Sequence, residues 1–243
     1  MKHRKRRATQ PSLFGNGDPE KKRPGRKPKN GEAGVSHHGR PKLGHRYPAH
    51  VTMKVLERIG SLRRDDLFAA IEQAFVKGKK RLGFRLVQFS VEPDHIHLIV
   101  EAHVTRDALA RNLRNPNKVL SRGMQALAIR IGKGINRVLG TKGQVFKDRY
   151  HMRPLQDPTQ VRNALAYVLN NAWKHYRALV RGRPGLHADP YSSGPYFTGW
   201  RRECRVPRVE RTAYPIAKPK LWLLAEGWKR VGLIGLGQIA RKT

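Results

Sequence analysis

Residues 84–102 read FRLVQFSVEPDHIHLIVEA, and this stretch decides the fold. Two runs rich in β-branched and aromatic residues flank the turn Glu92-Pro93-Asp94. Pro93 has no N–H for a central ladder, so the chain is expected to turn there. The pattern therefore predicts a β-hairpin, with strands over 84–91 and 95–102.

Periodic patterns on both sides of this hairpin predict further strands and helices. Alternation of apolar residues predicts a strand before it, and helical spacing predicts helices on both sides. The predicted strands are 45–55 and 143–155, and the predicted helices are 64–82, one from about 105 to Pro116, 117–139, 160–175 and a short apolar one at 221–231. A hairpin between helices indicates an α+β fold, a ferredoxin-like (RRM-like) antiparallel sheet covered by helices.

The charge of the chain is strongly unbalanced. There are 51 Lys and Arg residues against 17 Asp and Glu, a formal net charge of +34. A surface of this kind is typical of proteins that bind the phosphates of nucleic acid. The sequence has no apolar run of the length that crosses a bilayer and no signal-peptide core, so we expect no membrane partner and a cytoplasmic, nucleoid-associated location. The single cysteine, Cys204, rules out an intramolecular disulfide and a cysteine zinc site.

Composition divides the chain into three parts. Residues 1–44 are rich in Lys, Arg, Gly and Pro, which predicts a disordered basic arm. Residues 45–176 carry the periodic elements and form the predicted folded domain. Residues 177–243 form a basic C-terminal extension with the short apolar helix.

Two histidines stand two positions apart in the second hairpin strand. Side chains alternate across a strand, so His95 and His97 are expected on the same face, with Ile96 and Leu98 on the other. Two imidazoles in this arrangement can converge on one divalent ion. The same spacing is also typical of two half-exposed histidines on a sheet surface, and alone it favours that simpler interpretation.

A second pair of residues lies on the predicted helix 160–175. Tyr167 and Asn171 are four residues apart, which places them on one helical face, one turn apart. The helix can therefore bring a phenolic oxygen and an amide to one place. A tyrosine packed at the rim of the core has the same pattern.

Together these motifs resemble a known family. A Pro-Asp-His-Ile-His-Leu strand (residues 93–98) followed by a Tyr-x-x-x-Asn helix resembles the single-tyrosine HUH transposases of the IS200/IS605 type and the related REP-associated tyrosine transposases. The resemblance spans residues 45–176 and includes the segment 143–151, GQVFKDRYH. The sequence departs from many REP-associated members after the tyrosine, where Asn170-Asn171-Ala172 replaces an Asn-Pro-Val segment.

The resemblance implies an HUH endonuclease fold and a specific chemistry. It assigns His95, His97 and Asn171 as ligands of Mg²⁺ or Mn²⁺, and Tyr167 as the nucleophile that forms a 5′-phosphotyrosine and frees a 3′-OH. It further implies single-stranded DNA next to hairpins as the substrate, and a possible homodimer. Oxygen atoms of nearby carboxylates can add to the ligand set; these are Glu92, Asp94 and Glu101.

Basic residues near these motifs are expected to contact the DNA backbone. They are Arg81, Arg85, Arg111, Arg114, Lys118, Arg122, Arg149 and Lys174. Two other functions fit parts of the pattern. A catalytically inert nucleic-acid-binding protein on the same fold explains the charge, but not the combination of the two motifs. An HUH replication initiator or relaxase shares the chemistry.

Overall fold

The computed structural model describes residues 40–172, 188–202, 204 and 213–238. Within them, the strands are β1 (Ala49–Lys54), β2 (Lys80–Arg81), β3 (Phe84–Val91), β4 (His95–Ala102) and β5 (His151–Pro154). The α-helices are α1 (Asp65–Gly78), α2 (Arg106–Ala110), α3 (Pro116–Val138), α4 (Pro158–Leu169) and α5 (Trp222–Ala225). Short 3-10 helices span Glu57–Ile59, Gly194–Tyr196 and Gly227–Val231.

The strands form one antiparallel sheet in the order β2-β3-β4-β1-β5. The predicted hairpin is confirmed with its bounds, since β3 and β4 occupy 84–91 and 95–102. Both are buried along nearly their whole length because apolar clusters cover both faces of the sheet. Without the short β2, the order is that of a ferredoxin-like fold, so the predicted fold class is confirmed.

The two faces of the sheet carry different helices. Leu98 packs into a core that includes the apolar sides of α1 and α3, whereas its neighbour Ile99 packs with α4. Because adjacent residues of a strand point to opposite faces, α1 and α3 lie on one side and α4 on the other. The histidines of β4 point to the α4 side, since they alternate with Leu98.

Helix α4 begins at a strong capping sequence. Asp157 accepts a hydrogen bond from the backbone N–H of Gln160 at 2.8 Å, and Pro158 occupies the first turn. One side of the helix packs on the sheet. The C-terminal extension, with Trp228 and Leu224, packs in the same apolar cluster. The helix therefore has packed neighbours in both the sheet and the extension.

Several predicted elements differ from the structure. The helix predicted over 160–175 ends at Leu169 with Asn170 as its C-cap, so Asn171 lies beyond the helix that carries Tyr167. The apolar helix predicted over 221–231 is divided into α5 and the 3-10 helix Gly227–Val231.

Of the strand predicted over 143–155, only β5 forms. Before β5, Phe146 makes a single isolated bridge to Val55. Local hydrogen bonds compete with strand pairing there, as when Asp148 accepts from the N–H of Arg149. The helix predicted to Leu82 ends at Gly78, because the next residues pair with the start of β3 as the short strand β2. Leu82 and Gly83 form the turn between the two strands, with positive φ angles of 47° and 86°.

Parts of the predicted organisation lie outside the described residues. These parts are residues 1–39 of the predicted basic arm, 173–176 of the predicted domain, and 177–187, 203, 205–212 and 239–243 of the extension. In the part of the chain that the structure describes, no helix is both long and apolar enough to cross a membrane.

Candidate active site

The two histidines of β4 meet on the α4 side of the sheet. Nε2 of His95 lies 2.9 Å from Nε2 of His97. His97 is 4% exposed, whereas His95 is only partly buried at the end of the strand. Two ring nitrogens at this distance need a proton or a cation between them, because two lone pairs would repel each other.

The opposite nitrogen of each ring has a partner of its own. Nδ1 of His95 lies 2.6 Å from Oδ1 of Asp94, and Nδ1 of His97 lies 3.1 Å from Oγ1 of Thr52. Partial burial opposes ionisation of Asp94, but hydrogen bonds from His95 and Lys54 hold the pKa of its carboxyl below the ordinary value. With the protons on Nδ1, both Nε2 atoms present lone pairs to the same point.

Helix α4 adds a hydroxyl group to this point. Tyr167, in the last turn of α4, places its hydroxyl oxygen 3.4 Å from Nε2 of His97. The two rings meet edge to face, with centroids 5.1 Å apart. Burial, followed by the negative charge of Glu92, raises the pKa of the Tyr167 hydroxyl above its ordinary value. The hydroxyl is therefore protonated at neutral pH.

Two asparagines follow Tyr167 and have different surroundings. The side chain of Asn170 bonds to the C-terminal extension at Gly235, Gly237 and Gln238. Asn171 is 2% exposed, and neither polar atom of its side chain has a hydrogen-bond partner among the described residues. Burying an amide without hydrogen-bond partners is energetically costly. The Asn171 side chain could therefore be completed by a bound ligand, such as a cation on its oxygen.

Sequence reasoning missed His50 in β1. Nε2 of His50 lies 3.2 Å from Nδ1 of His97. Desolvation by burial, with the positive groups His151 and Arg153 nearby, lowers the pKa of His50 to about 4. Side chains alternate along β1, so His50 and Thr52 point to one face of the strand and its apolar residues to the other. Only the pairing of Thr52 with His97 shows that this polar side faces the histidine pair.

The three carboxylates near the motif have different roles. Glu101 is fully buried and accepts hydrogen bonds from the backbone N–H groups of Lys220 and Leu221, so it anchors the extension. Asp94 orients His95. Glu92 is also fully buried, and one of its oxygens accepts from the hydroxyl of Ser90 at 2.6 Å. No three His, Cys, Asp or Glu side chains of the described ranges form a ready-made metal cluster.

The cations predicted to bind DNA are not gathered around Tyr167. Four of them line two adjacent cavities of about 390 and 510 Å³ beside α3, on the other side of the sheet: Arg81, Lys118, Arg122 and Arg149. Arg111 and Arg114 are exposed between α2 and α3. Lys174 lies outside the described residues.

Arg85 is placed differently from the expectation. Its side chain is 8% exposed and donates two hydrogen bonds to the carbonyl of Lys218. It also lies 3.8 Å from a carboxylate oxygen of Glu101. We therefore leave Arg85 out of the DNA surface, because its guanidinium holds the extension against β3.

Comparison with known proteins gives one family and several distant structures. The profile of the family described as "Transposase IS200 like" matches residues 45–171. No curated protein matches the chain. A REP-associated tyrosine transposase bound to a REP hairpin has 16% identity and a TM-score of 0.47, with 74% of this chain and 97% of that chain covered.

Two further solved structures are similar at the same low identity. A bacterial tRNA(His) guanylyltransferase-like protein in complex with GTP has 16% identity and a TM-score of 0.40, covering 58% of this chain and 69% of that one. A proposed transposase from Deinococcus radiodurans R1 has 15% identity and a TM-score of 0.35, covering 62% of this chain and 100% of that one.

Proposed function

The chain belongs to the family of IS200-like transposases and is a DNA transposase, and we propose that it cleaves and rejoins single-stranded DNA through Tyr167. The observation that carries this proposal is the position of the Tyr167 hydroxyl, 3.4 Å from Nε2 of His97. A nucleophile next to a pair of nitrogens that can bind a metal ion suits metal-assisted phosphoryl transfer through a covalent enzyme intermediate.

The residues around Tyr167 fit a divalent metal ion. The Nε2 atoms of His95 and His97 converge, and each ring is oriented by a hydrogen bond at its other nitrogen. The buried amide of Asn171 has an oxygen without a partner among the described residues. We propose these three residues as ligands of Mg²⁺ or Mn²⁺. When bound, such an ion neutralises charge on the scissile phosphate and orients it.

The reaction of Tyr167 follows from its chemistry. Its oxygen forms a bond to phosphorus, and the bond from phosphorus to the 3′ oxygen breaks. The phenol loses its proton and the leaving oxygen gains one, so the products are a 3′-OH and a 5′-phosphotyrosine. Attack by another 3′-OH reverses these steps and joins two strands without ATP.

The proposed substrate is single-stranded DNA next to a hairpin. The net charge of +34 suits a polyanion, and exposed cations stand near the site as well as beside α3. His151 and Arg153 in β5 pair with Thr52 and His50 in β1. Residues directly opposite each other in an antiparallel pair share a face, so the side chains of His151 and Arg153 are expected on the face of the sheet that carries His50 and His97.

A covalent-adduct assay tests the proposal. Purified protein is mixed with Mn²⁺ and labelled single-stranded DNA that carries a hairpin and its flanks from next to the gene, then denatured and separated on a gel. We expect a protein–DNA adduct that EDTA abolishes and that Tyr167→Phe reduces by at least roughly 1,000-fold.

The matched control is Tyr214→Phe, which removes the hydroxyl of an exposed tyrosine and should leave the adduct unchanged. If the wild-type protein binds these DNAs but forms no adduct with any of them, the inert nucleic-acid-binding protein becomes the better interpretation.

A further inference from the structure

We propose that Glu92 is the carboxylate of the metal site, where its free oxygen accepts a hydrogen bond from the hydration shell of the bound cation. This inference rests on the proposed function, because the cation is the one assigned above to His95, His97 and Asn171. Glu92 would act as a positioning residue, since it reaches the cation through water.

The hairpin puts Glu92 on the same face as the histidines. Its backbone N–H donates to the carbonyl of His95 at 2.8 Å, so it stands opposite that residue just beyond the end of β3. Its side chain lies beside that of Ser90, whose hydroxyl donates to Oε1. Ser90 in turn pairs with His97, and paired residues of adjacent strands share a face.

Few buried polar atoms of the described residues lack a hydrogen-bond partner. Three buried side-chain nitrogen or oxygen atoms in these ranges have no hydrogen-bond partner: Oε2 of Glu92, and Oδ1 and Nδ2 of Asn171. Glu92 lies on the sheet beside Ser90, and Asn171 follows the end of α4, the helix that carries Tyr167. A cation held by the histidines, together with its bound water, would offer partners to Oε2 of Glu92 and Oδ1 of Asn171.

Burial makes the free carboxylate costly without a positive charge nearby. Glu92 is fully buried, and a carboxylate in such a place is stabilised by a cation or by a proton. A bound cation would offset that charge.

The described residues do not make Glu92 a direct ligand beside the two histidines. No three His, Cys, Asp or Glu of the described residues lie together as a ligand cluster, so Glu92 is not positioned as a direct third ligand with the histidines. Mg²⁺ in particular keeps several water molecules when it binds to protein. Residues that hold such water or ligands in place typically change metal affinity by about 10- to 100-fold when mutated.

Metal binding by the full chain without DNA tests the assignment. Free Mn²⁺ is measured by electron paramagnetic resonance during titration of the wild type, Glu92→Gln and Glu57→Gln. We expect Glu92→Gln to raise the Kd for Mn²⁺ by at least roughly tenfold. Glu57→Gln removes the same charge at an exposed position and should leave the Kd unchanged.

Thermal unfolding separates this role from a merely structural one. Without metal, Glu92→Gln should melt at the wild-type temperature or above it, because a buried charge has been removed. With Mn²⁺, the variant should gain less in Tm than the wild type. If Glu92→Gln fails to fold, Glu92→Asp keeps the charge but shortens its reach, and its Kd should also rise.

The outcomes distinguish this inference from the proposed function. If the wild type binds no Mn²⁺, or His97→Ala binds it as well as the wild type, the proposed metal site is wrong and the role of Glu92 is overturned with it. If His97→Ala loses Mn²⁺ while a folded Glu92 variant binds like the wild type, only the role of Glu92 is overturned.

Discussion

His97 is the side chain at which three parts of the molecule meet. Its Nδ1 atom faces Thr52 and His50 from β1, and its Nε2 atom faces His95 and Tyr167. The ring is nearly buried, so its orientation is set by these neighbours more than by solvent. A proton on Nδ1 would leave Nε2 with a lone pair directed at the proposed metal position.

The depressed pKa of His50 makes stability depend on pH. The folded-state pKa is about 4 against an ordinary value of 6.5. Between these values the unfolded chain binds a proton that the folded chain does not, so stability falls as the pH drops from 6.5 towards 4. From pH 7 to pH 4, His50 should account for about 3 kcal/mol of this loss.

Urea unfolding of the metal-free protein at several pH values measures this effect. His50→Gln cannot take up the proton, so its stability should fall less over the same range than that of the wild type. Equal pH dependence in the two proteins would show that His50 titrates normally.

At the scale of elements, local signals predicted the hairpin and the helix that carries Tyr167. Alternation around Pro93 and the cap at Asp157 act within a few residues, and both elements begin where these signals place them, to within two residues. The contact between Thr52 and His97 depends on strand pairing far apart in sequence, which no local pattern encodes. The anchoring of residues 213–238 by Glu101 and Asn170 was likewise absent from any periodicity.

Asn170 ties the end of α4 to the C-terminal extension. Its amide donates to the carbonyls of Gly235 and Gln238, and its oxygen accepts from the N–H of Gly237. Asn170→Ala should lower the free energy of unfolding by ~1–3 kcal/mol, because these buried groups lose their partners. It should also speed hydrogen exchange in the last turn of α4, next to Tyr167.

Mass-spectrometric hydrogen exchange and urea unfolding check both effects. Asn163→Ala, a half-buried asparagine on the same helix, is the matched control. Unchanged exchange at the end of α4 in Asn170→Ala would show that the extension does not hold the helix.

The whole molecule carries its positive charge on both sides of the sheet. The cations beside α3 are separated by the sheet from Tyr167, whereas those of β5 stand on the face that carries His97. We therefore expect a DNA strand that reaches Tyr167 to pass the cations of β5 rather than those beside α3. The net charge alone predicts that the protein binds DNA. The topology of the sheet predicts which of the positively charged residues lie near Tyr167.

Arg153 in β5 tests this division of the surface. Its side chain is exposed and lies opposite His50, so we expect it to contact a phosphate of the single-stranded flank. Arg153→Gln should weaken binding of a hairpin with that flank and lower the slope of log K against log salt by about 0.7, the value for one single-strand phosphate contact. Binding of a blunt hairpin without a flank should not change.

The control is Arg137→Gln, in the last turn of α3, which removes an equal charge on the other side of the sheet. If Arg153→Gln weakens the binding of both DNAs equally, Arg153 contributes only to the general positive field. The single-stranded DNA then approaches Tyr167 by another route.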